Sequence, residues 1–79
     1  MKKGRIRNYK PVVLWEARPT PELEIVIDRS PVDDTVWLYI GNPVTETSDG
    51  WVHPDEEAAK RDALSRTGLS SIAWQRSTH

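Results

Sequence analysis

Cysteine is absent from the 79 residues, which excludes disulfide cross-links, thiolate metal sites and a thiol nucleophile and makes a reducing cytoplasm the unforced setting. Histidine is scarce. His53 and His79 have no partners at ligand spacing, so neither a metal nor any other cofactor is expected. Glycine occurs only at positions 4, 41, 50 and 68, a spacing that forms neither GxGxxG nor GxxxxGKS/T and so offers no phosphate-cradling loop. Long apolar runs are missing as well. The basic start Met1-Lys2-Lys3-Gly4-Arg5 resembles the first part of a signal peptide, but the apolar run behind it, Val12 to Trp15, is stopped by Glu16. Neither an export signal nor a membrane span is expected.

With 37% apolar and 29% charged residues, the composition is that of one small globular domain. A chain of this size buries only about 60% of its unfolded surface, so its core is marginal without added support. The net charge of −1 conceals three unequal blocks: residues 1–10 carry +5, residues 11–59 carry −9 and residues 60–79 carry +3. The middle is acidic and both ends are basic.

The segment Val12 to Arg18 reads as a strand in which Val13, Trp15 and Ala17 share one face and Val12, Leu14 and Glu16 the other. Pro19 and Pro21 end it, because proline cannot donate to a ladder. Leu23 to Arg29 alternates more cleanly, with Leu23, Ile25 and Ile27 opposite Glu24, Val26 and Asp28. Ser30 to Asp34 has turn composition, and Thr35 to Ile40 resumes the alternation with Val36, Leu38 and Ile40 opposite Thr35, Trp37 and Tyr39. Val44 to Gly50 reads as a polar loop, followed by a short extended piece at Trp51-Val52.

The strongest local signal predicts a helix over Pro54 to Thr67. Proline suits the first helical position, Asp55, Glu56 and Glu57 suit the positive end of the dipole, and Gly68 suits a left-handed cap. Glu56 with Lys60, Glu57 with Arg61 and Asp62 with Arg66 have favourable i,i+4 order. Its apolar positions are Ala58, Ala59, Ala63 and Leu64, which suit a helix lying close on a sheet. Ile72 and Trp74 alternate with Ser71, Ala73 and Gln75 in a final strand. Together these predict an α+β fold, a small antiparallel sheet in the order β-β-β-α-β with one helix packed on one face. The domain spans residues 11–79 behind a basic arm of residues 1–10.

Catalytic patterns are not found. Ser65, Ser70 and Ser71 lack a GxSxG elbow and a spaced base, and a one-helix domain offers little concavity for paired carboxylates. Asp33-Asp34 and Asp55-Glu56-Glu57 lack the pattern of a calcium loop. The stretch Ala63 to Ser71 has the look of a helix-turn-helix corner, but only Ile72 to His79 remain for a second helix. The run Asp55-Glu56-Glu57-Ala58-Ala59 behind three strands resembles AP2-like and integrase arm-type DNA-binding domains over about a dozen residues. Those domains read DNA through basic sheet residues, whereas this sheet is acidic. The resemblance therefore implies no DNA-reading residue here.

Two features bear on a partner: a second sheet face, which either meets one or is covered by Trp51, the arm or the Val44 to Gly50 loop, and the basic arm, which either grips a partner or is a solubilising or sheet-adding tail. A helix of about 14 residues, about 21 Å long, covers one sheet face, leaving Val12, Leu14, Val26, Trp37 and Tyr39 on the other. Glu16, Glu24 and Asp28 share that second face. An aromatic patch rimmed by acids fits another protein, or a second copy, better than a phosphate backbone. The expected binding residues are Trp37, Tyr39, Val26, Leu14, Glu24 and Asp28. The size and the lack of reactive groups suit a small inhibitor or regulator of the kind that phages and mobile elements encode. The alternative is nucleic-acid binding through Lys2, Lys3, Arg5, Arg7 and Lys10, helped by Arg61, Arg66 and Arg76.

Overall fold

Period-two alternation gives two neighbouring strands the same apolar face, and a computed structural model, which describes residues 12–77, shows how the rest of the chain covers it. The elements run β1 (Val12–Thr20), β2 (Leu23–Arg29), β3 (Val36–Asn42), β4 (Thr47–His53), α1 (Glu56–Thr67) and β5 (Gln75–Arg76). All five strands form one antiparallel sheet in the order β4-β3-β2-β1-β5. The fold is α+β, with the single helix packed on one face of the sheet. Among the described residues no helix is long and apolar enough to cross a membrane.

The register between β2 and β3 sets Ile25 against Ile40, Ile27 against Leu38 and Arg29 against Val36. Ile25, Ile27 and Leu38 are fully withdrawn from solvent, and Ala59 and Ala63 of α1 close over them. Burying each of the three large aliphatic side chains is worth about 1.5 to 3 kcal/mol. Alanine at both helix positions lets the backbone of α1 come close, as the small-residue face predicted. Val36 and Ala17 complete the buried cluster, and Leu23, Ile40, Ile72 and Trp74 pack around it.

Four local features differ from the sequence expectation. The chain from Thr47 to Gly50 is strand, not loop, because β4 pairs with β3 over seven consecutive positions from Asn42↔Thr47 to Val36↔His53. The reversal is confined to Pro43–Glu46. There the Val44 amide donates to Asn42 Oδ1 at 2.9 Å, the Glu46 amide donates to the Asn42 carbonyl at 2.8 Å, and Glu46 adopts a left-handed φ of 59°. The helix begins at Glu56, not Pro54: Asp55 is its N-cap and accepts from the Ala58 amide at 2.8 Å. Gly68 is left-handed at φ 74° and caps the other end, as predicted. The last strand is reduced to Gln75–Arg76, with no second helix after Gly68 among the described residues.

The fourth difference moves a binding candidate. β1 carries a bulge between Val13 and Trp15, so that Val13 faces Asp28 while Trp15 faces Ile27. One extra residue in a strand reverses the sidedness of everything before it. Leu14 consequently packs against the core cluster and does not join Trp37 and Tyr39.

Candidate protein-binding face

The face of the sheet opposite α1 is built by the partners of the core positions. Val26 stands opposite Tyr39 and Glu16, Asp28 opposite Trp37 and Val13, Glu24 opposite Gly41, and Trp37 opposite Val52. Trp37 and Tyr39, two apart on β3, stack with ring centroids 6.1 Å apart and planes 15° from parallel. Both are half-buried. The Trp37 indole N–H donates to Thr35 Oγ1 at 3.2 Å, which fixes the ring along the strand.

Gly50 explains how Tyr39 lies. The two residues are cross-strand partners, and a Cβ at position 50 would stand 2.7 Å from the tyrosine ring. The ring approaches the glycine so closely that any side chain at position 50 would force it to shift.

Of the acids expected around this patch, two form its edge and one does not. Glu24 is half-exposed and accepts from Arg18 at 3.3 Å, a solvent-facing pair worth about 0 to 1 kcal/mol. Glu16 is half-buried. Asp28 is not a rim residue. It is only 7% exposed, because it sits in a central strand between Val13 and Trp37, and its Oδ1 has no hydrogen-bond partner. Burial pushes its carboxyl up to about 6, since removal from water disfavours the charged form.

The helix side accounts for the other tryptophans. Trp15, Trp51 and Trp74 all pack against the core cluster. The Trp15 indole N–H donates to Glu56 Oε1 at 2.8 Å, and Lys60 Nζ lies 3.7 Å from its ring centre. Arg66 lies 3.8 Å above Trp51 while its Nε donates to Asp62 at 2.7 Å. The hydrogen bond and charge of Arg66 hold Asp62 below the usual carboxylate range. Of the three expected i,i+4 ion pairs only Asp62 with Arg66 forms among the described residues; Glu56 and Lys60 are drawn to Trp15 instead. Sequence reasoning missed this clasp, since nothing in a strand pattern says which aromatic a helix cation will cover.

His53 Nε2 lies 3.0 Å from Asp62 Oδ2 in a geometry that makes no hydrogen bond. Ser65, Ser70 and Ser71 are exposed, and none is hydrogen-bonded to His53 among the described residues. A groove of about 390 Å³ between α1 and residues 70–74 is lined by Glu57, Lys60, Leu64 and Trp74 among others. Among the described residues no three His, Cys, Asp or Glu side chains gather as metal ligands. Lys2, Lys3, Arg5, Arg7 and Lys10 lie outside the described residues.

Comparison with known proteins finds no family model, no curated protein and no solved structure that the chain matches.

Proposed function

We propose that the chain is a non-catalytic protein-binding module that acts as a small inhibitor or regulator by occupying a partner's surface. The observation that carries this reading is the Trp37–Tyr39 stack on the helix-free face of the sheet, with Val26 beside it and Glu16 and Glu24 at its edge. Aromatic side chains are enriched at the centres of protein interfaces because they bury a large area at small entropic cost. The acids oppose a phosphate backbone and favour a partner with a basic or mixed surface.

The test compares Trp37→Ala with Trp74→Ala on a partner captured from the cell of origin. A desolvated aromatic at an interface centre contributes about 2 kcal/mol, so Trp37→Ala should weaken binding about thirtyfold while the monomer stays folded. Trp74→Ala should lose about 3 to 5 kcal/mol of stability. If Trp37→Ala unfolds the protein as badly as Trp74→Ala, the stack is structural and the reading falls. Salt-sensitive binding of oligonucleotides, abolished by neutralising Lys2, Lys3, Arg5, Arg7 and Lys10, would favour a nucleic-acid partner instead.

A further inference from the structure

The two edges of the sheet are unlike. On one side β5 is two residues long and includes Arg76, a short, charged end of the kind that discourages strand addition. On the other, β4 runs for seven residues with an unbroken ladder to β3 and no bulge. Between Thr47 and His53 it contains no proline, lysine or arginine, and among the described residues no strand pairs with its outer edge. Such an edge presents a row of peptide groups ready for another strand.

We propose that β4 pairs antiparallel with β4 of a second copy about a two-fold axis at Gly50, joining two sheets into one of ten strands. Charge selects both the occupant and the register. With Gly50 facing its own counterpart, Asp49 stands opposite Trp51 of the other copy, Ser48 opposite Val52 and Thr47 opposite His53. Trp51 is the residue over which Arg66 lies at 3.8 Å. Asp49 therefore meets the guanidinium of Arg66 in the other copy, and the symmetry makes this contact twice. The Arg66 Nε is committed to Asp62, leaving the two terminal nitrogens for this contact. Asp49 and Trp51 face Ile40 and Leu38 respectively, so both lie on the helix side of the sheet and the pair can form.

Neighbouring registers are worse. Centring on Asp49 would set two carboxylates face to face, which is destabilising. Centring on Trp51 would leave Thr47 and Ser48 without partners inside β4. The Gly50 register uses the whole strand between Glu46, whose φ of 59° ends it on one side, and Pro54, which has no amide hydrogen to donate on the other. Val52, 52% exposed, gains a cross-strand neighbour. This edge adjoins the Trp37–Tyr39 face through Gly50 and Val52, but the inference does not depend on that face binding a protein.

The test uses the full chain in sedimentation equilibrium up to about 1 mM, where weak dimers become visible. Asp49→Arg alone faces Arg66 with a like charge, and Arg66→Glu alone faces Asp49 with one. Each should weaken dimerisation at least about tenfold. An equimolar mixture of the two variants should recover a heterodimer, because each contact then has opposite signs. Amide shifts on dilution of the wild type should concentrate in residues 47–53 and spare 75–76. Should Arg66→Glu fail to fold, as its circular dichroism would reveal, the dilution map decides alone. A monomer at the highest concentration, a mixture no better than its folded components, or dilution shifts centred on Trp37 and Tyr39 would each overturn the proposal.

Discussion

Asp28 has Val13 on one side and Trp37 on the other, and water reaches it poorly. Its carboxyl is raised from 3.8 to about 6 by burial, so between those values the folded chain holds a proton that the unfolded chain releases. Its contribution to stability is greatest below the lower value and is lost as pH climbs through the higher one. After allowance for partial screening by solvent the loss is about 1 to 2 kcal/mol. Asp33 and Asp62 act in the opposite sense. Hydrogen bonds from Thr35 lower the first and the Arg66 contact lowers the second, so their contributions are present above the usual carboxylate range and vanish as pH falls. The urea midpoint should therefore be higher at about pH 5 than at about pH 7.5, and Asp28→Asn should remove the difference. A wild-type midpoint that rises steadily from pH 5 to 7.5 would show that Asp28 is solvated.

At the scale of elements, α1 is held to the sheet by very little apolar surface. Ala59 and Ala63 are fully buried, and the clasp of Trp15 with Glu56 and Lys60 secures the flank. Close approach of this kind tolerates no added volume. Ala63→Phe should cost about 1 to 3 kcal/mol by overpacking, read as a lowered melting temperature; an unchanged temperature would mean that α1 does not rest on β2 and β3. The alternations in 23–29 and 35–40 were sufficient to place β2 and β3, their shared buried face and the partners Val26, Trp37 and Tyr39 opposite it. The acidic first turn and Gly68 were sufficient to find the helix, although Pro54 set its start two residues too early. β4 was not legible, because Ser48-Asp49-Gly50 has the composition of a turn and becomes strand only through its ladder with β3. Leu14 was misplaced for a related reason. A bulge is decided by the pairing of two strands, and alternation along one of them cannot register it. Asp28 shared a face with Glu24 as expected, but its burial depends on the strands to either side.

Considered whole, the sheet places β1, the first strand in sequence, between β2 and the short final strand. Arg76 pairs with Trp15 and Gln75 with Glu16, and the Ser77 amide donates to the Leu14 carbonyl at 3.1 Å. The two ends of the described chain thus leave from neighbouring strands at one corner of the molecule. Position 77 lies alongside position 14, about two strand residues, or roughly 7 Å, from position 12. Chains with such ends tolerate being rejoined and reopened elsewhere. A circular permutant that links 77 to 12 through about four flexible residues and begins at Thr45, inside the Pro43–Glu46 reversal, should fold to the same far-ultraviolet spectrum. Its folding order would change, because β4 and α1 would now be made before β3, and the long contact between β3 and β4 would replace a hairpin. Comparing its refolding rate with that of the natural order would show whether this hairpin is where the sheet begins to form. An unchanged rate would exclude it as the nucleus.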